Sequence, residues 1–411
     1  MLNGGRWCYP ENGEQRRHVV VLRRLAVILS MIVTVFVGFG LVIPVLPMMV
    51  ANVGAQPYHL GLMLAVYSAV AFFISPWWGR LSDRIGRKPV LMVGLVGFAF
   101  SFFLFGLAKD MLWLMYLARI VGGGFSGAVT ATAMAYIADV TGVEERTRGM
   151  AFAGMSIGLG FIIGPGVGGI LANFGVAIPF FVAAALALLN AVWALVSLQE
   201  PDREQRVHVT ASTQSRWAAF AGSLKYMYLV DFIAQFTIAA LEGCFQYYEM
   251  WKIGATPTQI GYMFFISGIV GALIQGGIVQ RYVKHGREVP TLYLGLAVSA
   301  AGLFLVLLSH SFWTAALFMT IFGAGNTVLK PTVTSLVSKR TTVGQGLASG
   351  LLSSMDSLAR IVGPLLATLL YQWDKGLPFV VTALVCVAGL GLVAAFQHGE
   401  LQAKRTAAET L

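Results

Sequence analysis

Long apolar stretches broken by short polar turns recur along all 411 residues. Windows bounded by charge, Gly or Pro predict twelve helices, at 26-50, 59-79, 90-108, 111-136, 149-172, 177-198, 227-250, 259-280, 290-309, 312-336, 345-371 and 377-397. Each run approaches the ~20 apolar residues that cross a bilayer as a helix, and none shows the alternating pattern of a membrane barrel. The longest polar connection, Gln199 to Arg216, parts six predicted helices from six. The pattern predicts an all-α membrane protein in two pseudo-symmetric six-helix halves. Its expected parts are a tail 1-25, a half 26-198, a linker 199-226, a half 227-397 and a tail 398-411. Spaced motifs also repeat between the halves: Gly164-Pro165 returns as Gly363-Pro364, Gly86-Arg87 as Gly286-Arg287 and Gly124 as Gly323. Parallel repeats about an axis along the membrane normal place a substrate site between the halves, near the midplane.

Composition agrees, since 57% hydrophobic and 11% charged residues exclude a soluble globule. A net charge of +10 raises the question of nucleic acid, yet the bases are not interleaved with exposed aromatics. They sort by membrane side instead. Of 28 Lys and Arg, 21 fall on one side and only Lys109, Lys252 and Lys375 on the other, with Arg119, Lys225, Lys330 and Arg360 in or bordering the spans. Basic loops stay in the cytoplasm, so both termini are expected there. The apolar run after Arg23 and Arg24 is too long for a secretory signal, and Cys8, Cys244 and Cys386 show no metal-like spacing.

The turn Gly79-Arg80-Leu81-Ser82-Asp83-Arg84-Ile85-Gly86-Arg87-Lys88-Pro89 sets one acid among the bases. Its bland reading is a short cytoplasmic loop gathering charge. The second copy, Gln280 to Pro290, keeps Gly286, Arg287 and Pro290 but has no acid matching Asp83. Predicted helix five carries Gly160, Gly164, Pro165, Gly168 and Gly169, a spacing that permits close helix packing.

Charges inside the spans are the candidates for chemistry. Arg119 lies in an apolar run, where an arginine needs a carboxylate, carbonyls, a wet cavity or snorkelling to the interface. Glu242 and Asp356 lie mid-helix, and burial disfavours the charged form of a carboxylate, which suits either to carry a proton. Asp356 and Arg360 are spaced i, i+4 and are expected to pair along one helix face, which argues against Asp356 as the proton site. Glu242 has no base at helical spacing, and Lys330 is its leading partner from another helix. Phe245 is expected to line a pocket, whereas Tyr247, Tyr248 and Trp251 fit an interfacial belt.

The basic turn, the helix-one segment Gly38 to Pro47 and the helix-five glycines together resemble the drug:proton antiporters of the major facilitator superfamily, in particular the NorA and Bmr type of multidrug pump, with tetracycline pumps nearby. The resemblance covers Leu25 to about Gln397. It implies that Gly79, Asp83, Arg84, Gly86, Arg87 and Lys88 gate the cytoplasmic side, that the helix-five segment seals the halves, and that Arg119 handles protons. It also implies that Glu242 is the essential proton and cation site and that Lys330-Pro331 stands for a helix-ten Arg-Pro. Thr327, beside Asn326, replaces a second acid of that type, and both are expected to line the substrate cavity with Glu242 and Phe245. The implied activity is proton-driven efflux of amphipathic drugs by a monomer, with no cofactor beyond the proton gradient. Proton-linked uptake or lipid flipping on the same scaffold is the alternative. Partners are the small-molecule substrate, protons and the bilayer. No Gly-Lys dipeptide exists for a P-loop, and the six histidines lie in tails, loops or span ends, so an enzyme is not expected.

Overall fold

The computed structural model describes residues 11–141, 143–201, 220, 222–279, 287–341 and 344–409. Twelve long helices dominate. The first half contains α1 (Glu11–Val42), α2 (Tyr58–Ile85), α3 (Arg87–Leu107), α4 (Leu112–Val140), α5 (Val143–Leu171) and α6 (Ile178–Ser197). The second contains α7 (Leu224–Ile253), α8 (Pro257–Ile274), α9 (Glu288–Val306), α10 (Phe312–Arg340), α11 (Gln345–Trp373) and α12 (Leu377–Glu409). Eleven are long and apolar enough to cross a membrane. The remaining one, α11, has 29 residues, about 43 Å at helical rise, but carries Ser353, Ser354, Asp356, Ser357 and Arg360. Large apolar side chains such as Phe73, Leu189, Val196 and Leu273 stay exposed on the outer faces, as a lipid-facing belt requires.

The halves repeat one another. Helix α1 packs on α5 as α7 packs on α11, α3 on α4 as α9 on α10, and α3 on α6 as α9 on α12. Each half has its own apolar core, one built from Val27 to Leu198 and two adjoining clusters between Met227 and Phe396. Two helix pairs, α2 with α11 and α5 with α8, carry most of the contact between halves.

Those seams are tight at one end only. A Cβ on Gly61 would stand 2.5 Å from the Pro364 carbonyl oxygen, and one on Gly169 would stand 2.5 Å from that of Pro257. Further along, Gly261 meets the Pro165 carbonyl at 2.4 Å and Gly268 meets Ile162 at 2.7 Å. Thr258 Oγ1 donates to Gly169 O at 2.7 Å and bonds Asn173 Oδ1 at 3.0 Å. At the opposite ends of the same four helices, Gly79, Gly154, Gly158, Gly276, Gly346 and Gly350 would meet nothing within 4 Å. Among the described residues the halves therefore touch at the end where α2 begins and part at the end bearing Arg84 and Arg87.

The basic turn departs from the expected loop. Helix α2 runs on to Ile85, only Gly86 breaks it, with φ +114°, and α3 starts at Arg87. The Asp83–Arg87 pair, 2.6 Å apart at i, i+4, staples the two helices across that break. The Glu200 carboxylate accepts the first free N–H groups of α3, from Arg87 at 2.6 Å and Lys88 at 2.7 Å. A helix N-terminus attracts such an anion, and the carboxylate lies 2.9 Å from where a Gly86 Cβ would sit. Arg87 also reaches Asp139 at 2.8 Å and Ser82 at 2.6 Å. The second copy falls largely on residues 280–286, outside the described residues, as does most of the linker, 202–219.

Candidate functional site

Helix α7 begins on the open side at Leu224 and ends at Gly254, whose left-handed conformation (φ 64°) closes it. Three of its acids are buried: Asp231 and Glu249 at 0% exposure and Glu242 at 6%. Steps of 11 and 7 residues turn the helix by near-whole revolutions, so the three share one face over about 27 Å. That spacing was available in the sequence, where only Glu242 stood out; Asp231 and Glu249 were missed because they lie nearer the helix ends.

Glu242 sits toward the closed end of the seam between the halves, in a narrow pocket with Phe39, Leu64, Ser68, Ala239, Arg360 and Pro364. Its partner corrects the expected pairing, because Arg360 Nη1 lies 3.9 Å from Glu242 Oε2. Lys330 instead bonds Asp356 and lies 3.7 Å from Asp231. Spacing at i, i+4 permits the Asp356–Arg360 pair, but the register between α7, α10 and α11 decides it otherwise. The break in α10 fixes Lys330: Pro331 has no N–H to return to Thr327, and the helix is interrupted between Asn326 and Leu329.

Aromatic side chains of the first half hold the Arg360 guanidinium. Its carbon lies 5.4 Å from the Phe161 ring centroid and 6.0 Å from that of Phe39, within cation–π range. Phe161 belongs to the helix-five segment, so that segment both packs and grips a charge. Gly160, Gly164 and Gly168 of α5 face Phe36, Gly40 and Leu41 of α1, and Gly169 faces α8.

Arg119 is 3% exposed and lies inside the first half, which rules out snorkelling. Its guanidinium carbon is 5.1 Å from the Phe105 ring and 5.5 Å from Tyr67, while Nε and Nη2 have no hydrogen-bond partner. Tyr67 lies tilted against Phe39, ring centroids 5.5 Å apart, so rings connect Arg119 to the Arg360 pocket.

Other expected pocket residues sit elsewhere. Phe245 is fully buried in the core of the second half, edge-on to Phe264 at 5.8 Å, because its helix position faces α8 and α10 rather than the cavity. Asn326 is also buried, donating to Ala234 O at 2.9 Å and Thr237 Oγ1 at 3.0 Å. Thr327 borders α8, its Oγ1 lying 3.7 Å from a Cβ placed on Gly271. Of the expected aromatic belt, Trp251 is 55% exposed but Tyr248 only 3%. Glu249 is satisfied by Ser309 Oγ, at 2.9 Å and 3.1 Å from its two oxygens.

Two apposed six-helix halves, parted at one end and enclosing charges at the other, define a secondary transporter with a multi-pass membrane fold. The chain belongs to the Major Facilitator Superfamily, whose profile matches residues 28–284 and 227–409. It is 31% identical over 374 residues to Multidrug resistance protein 1 of Bacillus subtilis (strain 168), covering 91% of this chain and 96% of that one. It is 28% identical to Quinolone resistance protein NorA of Staphylococcus aureus (strain Mu50 / ATCC 700699), covering 90% and 96%. Among solved structures, a bacterial homolog of the human lysosomal transporter Spinster, inward-facing and occupied, superposes with TM-score 0.76 at 12% identity over 94% of this chain and 98% of that chain. The human organic anion transporter MFSD10 (TETRAN) gives 0.67 at 23% identity over 91% and 99%.

Proposed function

We propose that the protein exports amphipathic, aromatic compounds from the cytoplasm in exchange for protons, by alternating access. The relatives' names, multidrug and quinolone resistance, supply the substrate class. On the positive-inside assignment, the parted end faces the cytoplasm, and the state described here is the inward-facing one.

One observation carries the reading: Glu242 and Arg360 pair toward the closed end of the seam between the halves, and the same Arg360 is gripped by Phe39 and Phe161 of the other half. A proton on Glu242 removes the charge that holds Arg360. The guanidinium is then free to leave its ring cage, and the attraction between halves at this depth falls. Substrate binding and protonation thereby compete for one carboxylate. Each proton moving inward supplies about 1.4 kcal/mol per pH unit and about 2.3 kcal/mol per 100 mV, enough to sustain a drug gradient. Arg119, with two unpaired guanidinium nitrogens, is positioned to stabilise water or an anion near Tyr67.

At the open end, Asp83 and Arg87 would latch the halves when the cytoplasmic side closes. Drug-stimulated proton movement in vesicles tests the central step. Glu242→Gln should abolish it, and coupling equal to the wild type would sink the assignment.

A further inference from the structure

Three carboxylates and two bases occupy the cavity region: Glu242 with Arg360, and Asp231 and Asp356 with Lys330. The first set balances. The second does not, because two acids share one ammonium. Asp231 is the extreme member, fully buried, and among the described residues neither of its carboxylate oxygens has a partner within ordinary hydrogen-bond distance. The charged groups acting on it are Lys330 from α10 and Asp356 from α11, one of each sign. An isolated ionised carboxylate costs several kcal/mol to hold away from water, and a shared ammonium 3.7 Å away offsets only part of that. Asp356 and Lys330 are 25% and 37% exposed, so they stand between Asp231 and the cavity as a relay.

From this two-to-one imbalance we infer that Asp231 binds a proton of its own, making the Asp231–Lys330–Asp356 cluster a second proton-exchange site beside Glu242. The proton reaches the Asp356 carboxylate from cavity water and passes to Asp231; Lys330 stays protonated and shifts toward whichever acid is ionised. No other co-reactant is needed. The role of this proton in transport rests on the proton-coupled reading above, whereas its presence on Asp231 does not.

Infrared difference spectroscopy on the purified full-length protein, taken through a pH jump, tests both points together with proton flux in vesicles. A protonated-carboxyl C=O band should be present in the wild type, disappear in Asp231→Asn and persist in Glu242→Gln. Persistence of all carboxyl bands in Asp231→Asn would overturn the proposal. Asp231→Asn is isosteric and neutral, as the protonated carboxyl is, so it should fold at least as stably as the wild type. Lys330→Gln serves as the second variant: losing the base in contact with both acids should add a carboxyl band, and an unchanged spectrum would also overturn the proposal. The expected bands without drug-driven proton flux in the wild type would leave the site standing and remove the antiport reading instead.

Discussion

At the scale of single residues, the charges inside the membrane differ in what they lose on substitution. Arg360→Gln strands Glu242, and removing one partner of a buried pair costs about 3–5 kcal/mol. Because Arg360 is 28% exposed, solvent screens part of this, and the expected loss is on the order of 1–2 kcal/mol. Glu242→Gln added to Arg360→Gln should restore the melting temperature without restoring transport, which thermal unfolding in detergent and a flux assay would separate. Arg119 behaves in the opposite way. It breaks no ion pair when removed, so Arg119→Leu should leave the melting temperature unchanged or higher while abolishing proton-coupled flux; a clear drop in stability would show a structural role instead. Such pairings were only half legible in the sequence. That Glu242, Asp356, Lys330, Arg360 and Arg119 are costly in a bilayer follows from their neighbours along the chain. Which acid meets which base depends on how α7, α10 and α11 are rotated against each other, and the kink before Pro331 sets that rotation for Lys330. An i, i+4 spacing gives permission to pair, and a nearer acid on another helix took the base.

At the scale of elements, glycines determine where helices close on one another. The α5 segment from Gly160 to Gly169 was readable, because its repeat at intervals of four is the ordinary mark of close helix contact. Gly61 was not, since it stands without a partner glycine at that spacing, and only the α2–α11 seam gives it meaning. A Cβ there would lie 2.0 Å from Thr368 Oγ1, a side chain that can rotate, but also 2.5 Å from the Pro364 carbonyl, which cannot. Gly61→Val should therefore pry open the sealed end, seen as faster labelling of Thr368→Cys by a membrane-impermeant thiol reagent added outside; equal labelling rates would refute this role. The turn at Gly86 is another element-level case. Its sequence suggested a loop of charges, whereas the structure gives two helices meeting at one residue, with Glu200 from beyond α6 capping α3. Loss of a cap costs about 1 kcal/mol, so Glu200→Ala should lower the unfolding midpoint by that order. Glu200→Gln should cost less than Glu200→Ala, because the amide oxygen still accepts one N–H.

At the scale of the whole molecule, each half has its own apolar core, and the α2–α11 and α5–α8 seams carry most of the contact between them. On the proposed alternating access, rocking about those seams would exchange which end is sealed, with the charges of α7, α10 and α11 between them. The twofold architecture was legible because apolar runs and repeated Gly-Pro pairs report it locally. Which end is sealed was not, because that depends on how the two halves pack against each other, which no local pattern along the chain records. A direct check exploits the sealed end, where Thr258 Oγ1 and Asn173 Oδ1 lie 3.0 Å apart on opposite halves. Cysteines at these two positions would face each other across the α5–α8 seam, and the native Cys244 and Cys386 are buried and will not compete. In a background lacking Cys8, oxidation of Asn173→Cys/Thr258→Cys should stop transport and reduction should restore it. Drug should still bind to the locked protein from the cytoplasmic side, because the lock leaves the parted end untouched. If the oxidised pair transports at the wild-type rate, the α5–α8 seam does not open during the cycle, and rocking about it cannot be how access alternates.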